Sequence, residues 1–236
     1  MHRGRGAGRV VERSAFAGFR FPREVITVAV RWYLRYTLSY RDVAELLAER
    51  AIEVDHVTVY RWVQRFSPLF VEAARPCRHA PGDRWFADET VKVAGRWCYL
   101  YRAIDQFGQV IDVMASQRRD LAAARRFFTG ALNVGVGPTE VTTDQAAAYI
   151  GVLEELVPAA RHVTDRYANN PVESDHGRLK ARLRPMRGLK RLGSAKVVSA
   201  GHAFVQNLRR CHYELATDAT AALRVPAAFT ELAQAI

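Results

Sequence analysis

Between Arg84 and Gln117 the chain runs through three strand-like stretches in close succession. No other feature limits its possible folds as tightly. The stretches are 84-RWFADETVKV-93, 96-RWCYLYRAID-105 and 109-QVIDVMASQ-117, with Ala94-Gly95 and Gln106-Phe107-Gly108 as tight turns between them. Short turns make successive strands antiparallel, so the unit is a meander. The period then changes. Asp120 is placed to cap a helix over 121–132, and Gly135, Gly137 and Pro138 break the chain. A strand over 140–144 leads into a helix over 145–156, 161–166 reads as a fifth strand, and a further helix opens near Asn170. Hairpin-linked strands followed by alternating helices and strands bury their apolar faces as a mixed α/β sheet with helices packed on it.

Three carboxylates stand out in that order. Asp88 falls inside the first strand among Phe86, Ala87 and Val91. Aspartate is depleted in strand interiors and costly to bury without a partner. Asp144 ends the fourth strand, where a helix cap is its ordinary role. Glu173 opens the last helix, where Asn170 and Glu173 form a capping-box-like pair with Pro171 in the first turn. Taken singly, each has a structural role available. The run 169-NNPVESDHGRLKARLRP-185 sorts by helical spacing into an inward row, Val172, His176, Leu179 and Leu183, and an adjoining row, Glu173, Gly177, Lys180 and Arg184. Lys180, Arg178 and Arg184 are candidates for phosphate contacts. Asp105, at a hairpin end, reads as a turn residue.

The first part of the chain is different. Residues 1–20 are rich in Gly and Arg and read as a mobile basic arm. Residues 21–70 read as helices. In 23–36, Val25, Val28, Ala29, Trp32 and Tyr33 form an apolar stripe; Ser39 caps 41–50; Asp55 caps 57–66, which Ser67-Pro68 would end. Two short helices joined by a tight turn are the pattern of a helix-turn-helix. In that geometry His56, Thr58, Arg61 and Arg65 could reach DNA bases or phosphates; a plain helical hairpin with a charged face is the rival reading. Residues 71–83 read as a linker, 84–210 as the sheet domain, and 211–236 as an Ala-rich helical tail that docks on the sheet domain or on a second protomer.

A net charge of +11 points to a polyanionic partner, nucleic acid before an anionic membrane. The most apolar early run, 25-VITVAVRWYL-34, is interrupted by Arg31 and too short to span a bilayer. The N-terminus has no signal-peptide core, so a cytoplasmic location is expected. Cys77, Cys98 and Cys211 include no closely spaced pair, which argues against a zinc site or a disulfide framework.

The element order is the one found in RNase H-like folds. There the first and fourth strands are central neighbours and the last helix crosses their carboxylate-bearing ends, so Asp88, Asp144 and Glu173 would converge. Three convergent carboxylates cannot all stay ionised without cations. Hard oxygen ligands suit Mg²⁺ or Mn²⁺, and two such ions about 4 Å apart suit phosphodiester transfer. The blocks 86-FADETVKVAGRWCYLYRAID-105, 141-VTTDQAAAY-149 and 169-NNPVESDHGRLK-180 closely resemble those of DDE-type insertion-sequence transposases, nearest to the bacterial and archaeal insertion-sequence family six. Residues 31–66 resemble that family's helix-turn-helix block, and the likeness runs from about Phe21 to Arg210. It implies a retroviral-integrase-like catalytic core with its acidic triad on Asp88, Asp144 and Glu173 and a basic residue at Lys180. It also implies binding to double-stranded DNA at terminal inverted repeats, Mg²⁺- or Mn²⁺-dependent nicking and strand transfer, at least a homodimer, and residence at the nucleoid. Two departures accompany it: a shorter Asp144–Glu173 interval around Pro158, and a longer N-terminal arm. An inactive DNA-binding protein or repressor is the alternative, and an RNase H or junction nuclease a third.

Overall fold

The computed structural model describes residues 14–236 apart from 94–95, 145–146, 166–167, 171, 173–176, 178, 180 and 182–190; for 89–93, 96–98 and 147 it describes the backbone only. The chain opens with α1 (Arg23–Arg35), α2 (Tyr40–Ala48) and α3 (His56–Ala74). Local chemistry starts the last two. At α2, Ser39 Oγ accepts from the Asp42 amide at 3.2 Å and the Asp42 carboxylate accepts from the Ser39 amide at 2.7 Å, a complete capping box. At α3, Asp55 accepts from the Val57 and Thr58 amides at 2.8 and 2.9 Å. Its carboxyl is held below the usual range, chiefly by the Thr58 hydroxyl.

Three expectations for this region need correction. First, α3 does not stop at Ser67-Pro68 but continues through Pro68 to Ala74, inside the expected linker. A helix-interior proline costs about 3 kcal/mol. Phe66, Ser67, Phe70 and Ala74 are fully buried beyond or beside it, and each buried large apolar side chain returns roughly 1.5–3 kcal/mol. The remainder of the linker is tied down as well: the His79 amide donates to the His212 carbonyl at 3.1 Å and the Glu214 amide to the Cys77 carbonyl at 2.7 Å. Second, the end of the basic arm is anchored, because Phe16 stacks on Phe66 with ring centroids 4.6 Å apart; residues 1–13 lie outside the described residues. Third, the buried stripe of α1 is Ile26, Ala29, Val30, Tyr33 and Leu34, with Val25, Val28 and Trp32 only half-buried. Helices pack on α1 from more than one side, so the face it hides is wider than one stripe.

The sheet contains β1 (Arg84–Val93), β2 (Arg96–Asp105), β3 (Val110–Ser116), β4 (Glu140–Thr142) and β5 (Arg161–Val163), in the order β3-β2-β1-β4-β5. β1 to β3 form the antiparallel meander, whereas β4 pairs parallel to β1 and β5 parallel to β4. These are the order and directions expected of an RNase H-like sheet. The last two strands end sooner than their sequence pattern implies. Between strands lie α4 (Leu121–Leu132), capped by Asp120 through the Ala123 amide at 2.8 Å, and α5 (Ala147–Leu156). Asp105 is buried and accepts from the Gly82, Phe107 and Gln109 amides, so it is the turn residue expected.

One sheet face, with Trp85, Ala87, Tyr101 and Ile111, packs under Phe127 and Phe128 of α4 and Tyr149 of α5. On the other, Ile104, Val110 and Phe86 lie beneath Val172 and beneath Ala203, the latter in α6 (Leu192–Arg209). A third core joins α1, α2 and α3 to α6 and α7 (Arg224–Ala235). Here α6 comes close to α1: a Cβ at Gly201 would stand 2.6 Å from Leu34 Cδ2 and would push that side chain aside. The tail docks on its own chain, with the Phe229 ring 4.9 Å from Phe70 and 5.5 Å from Phe204. Among the described residues no helix is long and apolar enough to cross a membrane.

Candidate active site

The parallel pairing of β1 with β4 aligns Arg84 with Glu140, Trp85 with Val141 and Phe86 with Thr142. Asp88, within β1, and Asp144, beyond the end of β4, each follow that last pair by two residues. Both are half-buried. Each of β1 and β3 is antiparallel to β2, so they run the same way, and β4 runs with β1. The carboxyl ends of β1, β3 and β4 therefore share one edge of the sheet. Across the other side of β1, Asp88 is opposed by Arg102 of β2. Opposed residues of an antiparallel pair share a face, and Arg102 is completely buried. A guanidinium within the sheet thus lies on the same face as Asp88.

Asp144 is held from three directions. The Thr143 amide donates to the Val163 carbonyl at 3.1 Å, extending the β4–β5 ladder past the strand end. The Thr143 hydroxyl donates to the Asp144 carbonyl at 2.7 Å and, with its hydrogen spent there, accepts from His162 Nε2 at 2.8 Å. Burial pushes the His162 imidazole below its usual range, which favours the neutral ring. The side chain of Asp144 is met by Arg119, whose guanidinium donates to Oδ2 at 2.6 Å. Arg119 sits between β3 and α4.

The third segment is anchored beside Asp88. Asn169, itself buried, donates from Nδ2 to the carbonyl of Ala87 at 2.9 Å. Asn170 is already helical, one residue inside the capping position expected of it. Val172 and Leu179 are fully buried, as the inward row requires, and Gly177 is exposed, with nothing within 4 Å of where its Cβ would be. Glu173, His176, Arg178, Lys180 and Arg184 lie outside the described residues.

The expected DNA-facing residues are on α3. His56, Arg61 and Arg65 are exposed. Thr58 is half-buried, and its hydroxyl donates to Asp55 Oδ2 at 2.6 Å, so it serves the helix cap. Arg102, Arg119 and Asn169 escaped sequence reasoning. Only Arg102 has a sequence signal, as a charge in the interior of a largely apolar strand.

A family model described as a DDE domain, DDE_Tnp_IS240, matches residues 82–212. The transposase for insertion sequence-like element IS431mec of Staphylococcus aureus strain Mu50 is 40% identical over 169 residues, covering 69% of this chain and 75% of that protein. The transposase for insertion sequence element IS257 in transposon Tn4003, also from Staphylococcus aureus, is 39% identical with the same coverage. Among solved structures, the HTLV-2 integrase catalytic core domain in complex with magnesium, in its dimeric form, superposes with a TM-score of 0.44 at 18% identity over 61% of this chain and 97% of that one. The simian T-cell lymphotropic virus intasome does so at 0.44 and 16% identity over 77% of this chain and 73% of that one. Through a domain match over more than half its length and these two transposases, the chain belongs to the DDE transposases of insertion sequences, in the insertion-sequence six family.

Proposed function

We propose that this chain is the transposase of an insertion sequence, a polynucleotidyl transferase that binds the element's terminal inverted repeats, nicks there and joins the ends to target DNA. One observation supports the catalytic part: β1 and β4 pair in parallel, and Asp88 within β1 and Asp144 just past β4 each follow the Phe86–Thr142 pair by two residues, at the same end of the sheet. Asn169, four residues before Glu173, ties its segment to Ala87, next to Asp88. Asp88, Asp144 and Glu173 are the acidic triad in this reading.

The donor set fits hard divalent cations. Carboxylate oxygens are the ligands Mg²⁺ and Mn²⁺ prefer, and Asp144 already draws a cation, the Arg119 guanidinium, to 2.6 Å. The three carboxylates would hold two such ions, which when bound supply charge neutralisation at the attacking and leaving oxygens. The rest falls to the chain. Water attacks the phosphodiester at each element end, the bond to the 3′-oxygen breaks, and a 3′-hydroxyl is left. That hydroxyl attacks a target phosphodiester, whose own 3′-oxygen leaves. Lys180, Arg178 and Arg184 take backbone phosphates beside the triad, and exposed Gly177 lets the DNA backbone come close. The helices over 21–70 act as the sequence-reading unit, with His56, Arg61 and Arg65 presented by α3 and Thr58 at its cap. Two ends must be held together, so the working form is a homodimer or larger, acting at the nucleoid in the cytoplasm.

The test is strand transfer in vitro with Mg²⁺ or Mn²⁺. Asp88→Asn and Asp144→Asn are each expected to reduce it by about a thousandfold or more while end binding persists. Glu173→Gln should do the same; a cap alone would tolerate glutamine. Full activity in Asp88→Asn sinks the assignment.

A further inference from the structure

The site holds a cation of the protein's own. Arg119 donates to Asp144 Oδ2 at 2.6 Å, and the two side chains are 42% and 41% exposed. The loop that presents Arg119 is braced on both sides. The Arg118 amide donates to Ser116 Oγ at 3.2 Å, and Asp120 is committed to capping α4. The guanidinium is therefore delivered to the carboxylate by a short, fixed connection. Arg102 makes an instructive contrast. It opposes Asp88 from inside the sheet with no solvent exposure, where a charge cannot leave. Arg119 sits at the rim, where it can.

We propose that Arg119 is an exchangeable counter-ion: it holds the Asp144 side chain in place in the metal-free protein, and divalent-ion binding displaces it from the carboxylate. This rests on the metal-site reading above. An ion pair so exposed shifts an equilibrium by no more than about fivefold, so an incoming dication can outcompete it. A monovalent cation beside the site also repels a divalent one. The arginine therefore sets the metal affinity of the resting protein without being a ligand. It is a positioning residue, acting through Asp144.

Mn²⁺ titration of the DNA-free full chain, followed by the electron paramagnetic resonance of free Mn²⁺, tests this without any turnover. Arg119→Ala and Arg119→Gln are expected to bind Mn²⁺ about three- to tenfold more tightly than wild type. Arg119→Lys, which keeps the charge, should stay within about twofold of wild type. Asp144→Asn should lose affinity whatever stands at 119. Far-ultraviolet circular dichroism of each variant checks that the fold is intact; residue 119 is exposed enough for substitution to leave it so. Unchanged or weaker binding in both Arg119→Ala and Arg119→Gln, with wild-type binding intact, overturns the exchange and spares the metal site. Wild type that fails to bind Mn²⁺ at all overturns both.

Discussion

The two largest cores of the molecule are assembled in opposite ways. The one beneath α4 and α5 draws on residues from Trp85 to Leu153, a continuous third of the chain. The helical one joins Phe16 and α1 to Phe229 and Ala233 of α7, and the Ser14 hydroxyl donates to the Ile236 carbonyl across its outer edge. The first can form from neighbours in sequence. The second needs distant segments to meet and must meet the loop-closure entropy first. The candidate site lies where the two join. Asp88 stands on β1 and Asp144 just past β4, strands that give Trp85, Ala87 and Val141 to the local core. The segment after Asn169 leans on both, with Val172 in the small cluster under α6 and Leu179 in the helical core.

The strongest way to break this contrast is to open one core and watch the other. Phe127→Ala and Phe70→Ala each remove a fully buried ring, and each should cost about 3–5 kcal/mol. α6 serves both sides, with Ala203 under the sheet and Phe204 in the helical core. Both variants should therefore still unfold in one step, with circular dichroism and tryptophan fluorescence coincident in denaturant. Two separated transitions in Phe70→Ala would instead divide the chain into independent domains near the expected linker.

A smaller change sharpens the join itself. Asn169→Ala strands the Ala87 carbonyl and should cost about 1–3 kcal/mol. Because it loosens the approach of the Glu173 segment to Asp88, strand transfer should fall further, by about 10- to 100-fold. Denaturant midpoints measured beside rates separate the two effects. A rate loss no larger than the stability loss would leave Asn169 a packing residue only.

The smallest effect is expected at Asp112. It lines a cavity of about 240 Å³ between the cores, with Arg75, Arg78, Asn133 and Asn207. Burial raises its carboxyl above the usual range, partly opposed by its amide bond from Val113 and by Arg78. A carboxyl raised on folding favours the native state only while protonated. Its cost is absent below the unfolded pKa, grows as pH rises through the folded one and is constant above it. Asp112→Asn should therefore raise the melting temperature at pH 7 and leave it nearly unchanged at pH 3.5. An equal shift at both pH values would remove the ionisation from the explanation.

Strands were legible wherever period and turns agreed. β1, β2 and α4 fall at the residues their patterns predict, because alternation and the Asp120 cap are local signals. β4 and β5 are shorter than their patterns imply: each pairs over three residues, although β1 itself runs on to Val93. The end of α3 was misread because proline is a local penalty, while Phe70 and Ala74 answer it through contacts with distant parts of the chain. Asp88 stands out in the sequence because aspartate is out of place in a strand interior; Asp144 alone reads as a helix cap and stands out only in company with Asp88 and Glu173 and through the family resemblance. Arg119 could not, since its role depends on a strand end far from it in sequence.

What the sequence determined by itself was the order of the elements, their starts and the acidic residues worth weighing. Caps, turns and periodicity act over a few residues, and one chain carries them all. Only the tertiary structure decided that β1 and β4 pair in parallel, that Arg102 opposes Asp88 and Arg119 meets Asp144, and that the tail closes on its own chain. Register between strands, burial of a charge and choice of packing partner are all properties of pairs of segments, and those pairs exist only once the chain has folded.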